Sequence, residues 1–323
     1  MKTSPKKKIV DPAKQLNLYG YKEYFFSFMN LYDKGNLPNA ILLNGEKGIG
    51  KSTFAYHFIN YLLSKNEKNQ YSVENFLINQ DNNTYKLIQE SIHPNFYLLN
   101  KNLSTENIKI DQVRNLLNFL NKTTYTKDIK IVLIDDTSCL NLNSSNALLK
   151  ALEEPPINTF FILIHNSSSE VIDTIKSRCL NFKIHFNLSE KKKILDQILI
   201  DYEIHSDNSE YEKFLFFSSP GNLLRILLIL NETDYKFTED YYSSILFLLN
   251  EYKIKKDSDL LQFATLFIET FYNQLSLRNN FNVNEYFINK NKILYLIRDY
   301  KKFNLNTNNL IFTIEKILKN EKK

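Results

Sequence analysis

The chain offers little of the chemistry that cysteine supplies. Only Cys139 and Cys179 occur, far apart in sequence, so there is no disulfide framework and no four-cysteine zinc module. That predicts a reducing, cytoplasmic setting and no zinc. Tryptophan is absent. No apolar run approaches the roughly 20 residues that cross a bilayer, so no membrane association is expected. Lys6-Lys7-Lys8 has no apolar stretch behind it, which predicts no secretory signal. No internal repeat is evident. Charge is not extreme either: a net +5 is compatible with nucleic acid without pointing to it. Lys and Asn abound together with Ile and Tyr, as in proteins from AT-rich genomes, and their number carries little functional weight. What is plentiful is core material: 43% of residues are hydrophobic and 14% aromatic. In 323 residues that supports two or three domains.

Glycine is scarce as well, and its distribution is informative. Of six glycines, three fall within Gly45-Glu46-Lys47-Gly48-Ile49-Gly50-Lys51-Ser52. The stretch fits the phosphate-loop pattern G-x-x-x-x-G-K-[ST] at every required position. Glycine lets backbone N–H groups curl around a phosphate without a Cβ clash. Asn39 to Leu43 before it reads as a short buried strand. Phe54, Ala55, Phe58, Ile59 and Leu62 after it recur at helical spacing, so the loop opens a helix whose free N–H groups suit a phosphate. Gly45, Gly48, Gly50, Lys51, Ser52 and the following Thr53 are therefore the expected ATP-binding residues. Lys51 would reach the β- and γ-phosphates, and Ser52 would ligate magnesium.

The second informative stretch is Ile129 to Asp136, an apolar strand ending in two acids. Some 80 residues beyond a phosphate loop, such a strand end delivers the magnesium-side carboxylate to the carboxyl edge of a sheet. Asp135 is the expected metal-side residue. Strand and helix patterns alternate from about residue 38 to 186, which argues an α/β layer with a parallel sheet covered on both faces. The flanking assignments are a polar, frayed segment over 1–14, a helix from about Leu16 to Gly35, and a solvated insertion over 65–83. A short helix leads into Ser177-Arg178-Cys179. After Asn187 only helices are expected: one capped by Ser189, with the solvated lysines Lys191 to Lys193. Ser219-Pro220-Gly221-Asn222 forms a break, and four long amphipathic patterns follow from about Phe237.

Read whole, Ile131 to Cys179 carries Asn146-Ala147-Leu148-Leu149-Lys150, then Leu152-Glu153-Glu154-Pro155-Pro156, then Thr174-Ile175 before Ser177-Arg178-Cys179. With Ile92-His93-Pro94-Asn95 and Ser219-Pro220-Gly221, these segments resemble the clamp-loader branch of the AAA+ ATPases, which in bacteria serves DNA polymerase III. The matches run in the family's order from about residue 20 to 230. The resemblance implies an AAA+ P-loop domain over 1–186, a helical lid over 187–235 and an all-α collar for oligomerisation over 236–323. The implied partners are clamp-loader subunits of gamma/tau and delta type, with the sliding clamp and primer–template DNA reached through the complex. It further implies that Asn166 is the sensor residue near the γ-phosphate and that Arg178 is an arginine finger for a neighbouring subunit.

Two departures from the family pattern matter. The water-activating position after Asp135 is a glutamate in active relatives and Asp136 here. Losing one methylene retracts the carboxylate by about 1.5 Å, and misplacement on that scale costs about a hundredfold. The sensor arginine of motor-subunit lids falls near Gly221, with Arg225 a turn further on. Both favour a weakly hydrolysing or non-hydrolysing stator over the alternative, an active gamma/tau-like motor. A DNA-binding AAA+ regulator would need a helix-turn-helix, and no segment makes one. His93 reads as a loop or packing residue, Cys179 as a small buried hydrophobe, and Glu153 and Glu154 as structural or inter-subunit contacts.

Overall fold

The computed structural model describes residues 8–101, 107–122, 129–204, 214–216, 218–232, 240–276 and 283–321. They fall into two compact units. One comprises Lys8–Ser206 with Ser219–Asn222, and the other takes in Leu223–Lys323.

In the first unit five parallel strands form one sheet. They are β1 (Ala40–Gly45), β2 (Phe96–Leu99), β3 (Lys130–Ile134), β4 (Thr159–Asn166) and β5 (Leu180–Ile184), in the order β2-β3-β4-β1-β5. The three middle strands are apolar at nearly every position because both faces are covered. Successive side chains point to opposite sides. Ile41, Leu43, Ile131, Leu133, Ile162 and Ile164 enter one core, while Leu42, Val132, Ile134, Phe161 and Leu163 enter the other. The first core is largely aromatic. Helix α1 (Lys22–Asp33) brings Phe25 and Phe28 against Phe54 and Phe58 of α2 (Lys51–Leu63), mostly edge to face. The second core is closed by Val113 and Leu116 of α4 (Ile110–Asn121) and by Leu148 and Leu152 of α5 (Leu142–Glu153). The edge strand β5 follows the short α6 (Asp173–Lys176), and α7 (Leu188–Asp201) succeeds it.

Five local expectations need correction. The stretch over 65–83 is only partly solvated: Tyr71 and Ile78 are buried in the aromatic core. The Tyr71 hydroxyl meets Nδ1 of the fully buried His57 at 3.1 Å, so apolar residues within a polar stretch anchored it. A short α3 (Asn83–Gln89) follows, capped by Asn82. Of the segment expected to be frayed, residues 1–7 lie outside the described residues, while Pro12–Lys14 form a helical turn capped by Asp11; α1 begins only at Lys22. The cap of α7 is Asn187, which exchanges hydrogen bonds with Glu190 in a capping box; Ser189 lies inside the helix. Lys191 is buried and paired rather than solvated.

In the second unit, α8 (Pro220–Glu232) starts with proline at the position where its missing N–H costs nothing and contributes its residues from Leu223 on. Among the described residues four longer helices follow, one for each amphipathic pattern: α9 (Tyr241–Lys255), α10 (Ser258–Ser276), α11 (Val283–Phe303) and α12 (Thr307–Glu321). Their core holds Leu248, Leu261, Phe267, Ile293 and Ile314. Among the described residues no helix is long and apolar enough to cross a membrane.

Candidate functional site

Because the sheet is parallel, the carboxyl ends of β1, β3 and β4 open on one edge. Gly45 lies beside Asn166 in the β1–β4 register, and Asp135 and Asp136 leave the end of β3 one strand away. The phosphate loop leaves from Gly45. It turns through Gly48 at φ +80° and reaches α2 through Gly50 at φ +95°, conformations that side-chain-bearing residues rarely adopt.

Lys51 opens α2 and is 4% exposed. Its Nζ donates to the carbonyls of Gly45 (2.9 Å) and Glu46 (2.7 Å) and to Oδ1 of Asn166 (3.0 Å). Burial pulls its pKa down to about 8, against the opposing pull of Asp136, Asp135 and Glu46. The Ser52 hydroxyl donates to Oδ1 of Asp135 at 3.0 Å. Burial raises the Asp135 pKa above the usual carboxylate range, while the Ser52 hydrogen bond lowers it. Asn166 closes the network by donating from Nδ2 to Oδ2 of Asp136 at 3.4 Å. Asp136 sits at φ +72°, with Oδ1 accepting from the Ser138 N–H (3.1 Å) and Oγ (2.5 Å). The next residue, Thr137, is held through Oγ1 by His165 at 3.0 Å. Thr53 lies half-buried in the first turn of α2. Lys51, Ser52, Asp135, Asp136 and Asn166 thus come together, 115 positions apart at the extremes.

A hydroxyl and a carboxylate beside a polyphosphate are the hard oxygen donors that magnesium takes when substrate phosphates and water complete its shell. The Ser52–Asp135 pair fits that role. Among the described residues no cluster of three or more His, Cys, Asp or Glu could hold a metal by itself.

The other side of the loop is clamped by Ser219 to Asn222 and by Lys191, contacts with the loop that nothing in the sequence signalled. Ser219 Oγ and Asn222 Nδ2 both donate to the carbonyl of Lys47 (2.8 and 3.2 Å), the Gly221 N–H donates to the carbonyl of Gly48 (3.1 Å), and Lys191 Nζ pairs with Glu46 at 2.7 Å. A Cβ on Gly221 would lie 2.4 Å from the Gly48 carbonyl oxygen. The backbones touch, and no side chain fits there. Arg225 is ion-paired with Asp259 at 2.6 Å.

Arg178 lies apart from this edge. It precedes β5, at the strand's amino end, where Leu180 pairs with Ile41; Gly45 pairs with Ile184 at the other end. Its Nε donates to Oε1 of Glu153 at 2.5 Å, Nη2 reaches the same oxygen, and Nη1 donates to the Thr174 carbonyl (2.9 Å) and to Ser177 Oγ (3.3 Å). Burial pushes the thiol of Cys179 up to about 12 and raises that of Cys139, so neither is a ready nucleophile.

A glycine-rich loop between β1 and α2, an acidic strand end and an asparagine on the adjacent strand, on a parallel sheet of order β2-β3-β4-β1-β5, give an AAA+ P-loop fold accompanied by helical segments. The sequence model of the family described as "DNA polymerase III, delta subunit" matches residues 21–187, just over half of the chain, and the chain belongs to that family. It is 31% identical over 164 residues to the DNA polymerase III subunit delta' of Pseudomonas aeruginosa, covering 51% of this chain and 48% of the relative. It is also 30% identical over 259 residues to the DNA polymerase III subunit gamma of Buchnera aphidicola subsp. Acyrthosiphon pisum, covering 75% and 68%. The chain therefore spans about half the length of the Pseudomonas relative it matches. A solved DNA polymerase III gamma-subunit-related protein of Thermotoga maritima aligns at TM-score 0.47 and 18% identity, covering 93% of this chain and 99% of that one.

Proposed function

We propose that this chain is the delta-prime-like stator of a DNA polymerase III clamp loader, binding magnesium–ATP but hydrolysing it poorly, and lending Arg178 to the nucleotide of a neighbouring subunit. The reading rests on one observation above all. The phosphate loop leaves the carboxyl end of β1, whereas Arg178 sits at the amino end of the adjacent β5. Four residue steps of strand separate the two ends, roughly 13 Å. The guanidinium, held by Glu153, Thr174 and Ser177, therefore lies by the end of the sheet opposite its own loop, where an adjoining subunit could meet it. A permanently charged guanidinium set against the charge that develops in phosphoryl transfer speeds it by about 10³–10⁵ in known cases.

This chain's own residues support binding more than turnover. Lys51 carries the charge for a polyphosphate, and Ser52 and Asp135 supply two oxygens for a magnesium ion, which when bound would neutralise phosphate charge. Asp136 is one methylene short of the expected base and is tied down by Ser138, so it cannot lengthen its reach to a water. The contact of Gly221 with Gly48 leaves no room for a lid arginine, and Arg225 is engaged by Asp259. The division into AAA+ domain, lid and collar at residues 186 and 235, the collar's role in assembly, and the partnership with gamma/tau-type and delta-type subunits around the sliding clamp belong to the same proposal. Steady-state ATPase assays of the isolated chain, with and without primed DNA, should give negligible rates. A turnover above about 1 s⁻¹, ordinary for an enzyme, would instead mark the chain as a motor.

A further inference from the structure

Arg178 is not idle in the isolated chain. Glu153, the last residue of α5, takes both Nε and Nη2 on one carboxylate oxygen, and the carbonyl of Thr174 in α6 and the Ser177 hydroxyl take Nη1. A guanidinium has five N–H donors, and these contacts leave Nη2 a single uncommitted one. The pair is partly open to solvent, with side chains 28% and 47% exposed. We propose that Glu153 is a latch on Arg178: it occupies the guanidinium fork while the chain is alone, and a nucleoside triphosphate held by an adjoining subunit takes the arginine only by displacing this carboxylate.

The exchange is one anion for another. A carboxylate and a terminal phosphate both present oxygen pairs that match the fork, and the phosphate carries the greater charge. Glu153 also sits at the carboxyl end of a helix, where the backbone dipole disfavours a negative charge and favours a positive one. The carboxylate is thus the weaker competitor, while the guanidinium stays comfortable between two helix ends whichever anion it holds. Exposed pairs of this kind are weak, so the latch delays engagement without forbidding it. Its consequence is selectivity: the arginine commits when a polyphosphate is opposite it and otherwise remains neutralised at the surface. This inference rests on the trans-acting role of Arg178 and concerns how that role is regulated.

Two measurements on full-length protein test it. The chain has five arginines, so the Nε–Hε region of an NMR spectrum is sparse, and the Arg178 signal is identified by its loss in Arg178→Lys. In the isolated chain this proton should exchange slowly with water. Glu153→Ala should expose it, and Glu154→Ala should not. In the reconstituted complex, Glu153→Ala should lower the ATP concentration for half-maximal hydrolysis by roughly two- to fivefold, the factor that such a pair represents, and leave the maximal rate unchanged. If the maximal rate instead falls to the level of Arg178→Ala, Glu153 positions the arginine and does not compete for it. If Arg178→Ala slows the complex but Glu153→Ala leaves half-saturation where it was, the latch fails and the finger stands. If Arg178→Ala itself has no effect, the trans-acting role fails and the latch with it.

Discussion

Replacing Lys51 with methionine tests whether the phosphate loop bears a strain that only a ligand relieves. The wild-type ammonium is buried, and its pKa falls from 10.5 to about 8. Below pH 8 the side chain is protonated in both folded and unfolded chains, so the fold carries the full cost of a desolvated charge. Between 8 and 10.5 the unfolded chain binds more protons than the folded one, and stability rises with pH. At about 1.4 kcal/mol per pKa unit the cost is on the order of 3 kcal/mol. Methionine is similar in length and uncharged, and it removes that cost. It also leaves the carbonyl of Gly45, the acceptor whose contact is buried, without its donor, at about 1–3 kcal/mol for one such group, while the partly buried Glu46 carbonyl and Asn166 Oδ1 can turn to water. The two effects nearly cancel. Lys51→Met should therefore unfold in urea at pH 7 within about 1 kcal/mol of wild type, far from the 2–5 kcal/mol typical of damage to a packed interior. The wild type should then gain on the variant by about 3 kcal/mol toward pH 10.5. Magnesium–ATP at a hundredfold over Kd should stabilise the wild type by about 2.7 kcal/mol, several degrees in Tm for a unit of this size, and should leave the variant unmoved. A variant that loses more than 2 kcal/mol at pH 7 with an unchanged pH profile would refute the strain argument. A variant that keeps the nucleotide shift would refute the role of Lys51, and no shift in the wild type at millimolar nucleotide would mean that the loop does not hold ATP.

Other expectations follow from the same contacts. Gly221→Arg should lower Tm and leave the isolated chain inactive, since even its Cβ would meet the Gly48 carbonyl at 2.4 Å; gain of ATPase activity would show that the lid can open to admit a side chain. Asp136→Glu alone should not give fast hydrolysis, because the isolated chain still lacks a neighbour's arginine, and a burst of turnover in that variant would overturn this. A chain ending near residue 235 should keep a cooperative melting transition for its α/β unit yet fail to co-elute with the other subunits on size exclusion. Normal incorporation would remove assembly from the four helices after Tyr241.

The phosphate loop, the acidic strand end and the alternation of strands with helices were legible because each is local: glycines at fixed spacing, an apolar run ending in Asp135 and Asp136, helical and strand periods in turn. Asn166 was legible only through the family resemblance, since nothing beside it in sequence marks a residue that will accept from Lys51. The clamp of Ser219, Gly221 and Asn222 on Lys47 and Gly48 joins segments some 170 positions apart, and a serine-proline-glycine turn carries no sign of what its backbone will touch. The hold of Glu153 on Arg178 spans 25 positions and depends on the end of α5 meeting the turn before β5, which no period encodes. Tyr71 and Ile78 were hidden by their polar neighbours. Lys130 was hidden by its charge: its Nζ caps the carboxyl end of α4 through the carbonyls of Phe119 and Leu120, each at 3.0 Å. That placement suits a cation at a helix terminus.

The central claim is that this chain acts through Arg178 on a neighbour's nucleotide more than through its own loop. Its most direct test compares Arg178→Ala with Lys51→Ala, each placed in this subunit alone, in a reconstituted clamp loader whose ATPase and clamp-loading rates are measured on primed DNA. Both complexes should assemble, because the partly exposed pair of Arg178 with Glu153 contributes about 1 kcal/mol or less to the fold and the buried charge of Lys51 costs the fold stability rather than adding to it. Arg178→Ala should slow both rates markedly, Arg178→Lys should rescue little for want of a fork, and Lys51→Ala should slow them less. The reverse ranking would contradict the account and make this chain a motor in its own right.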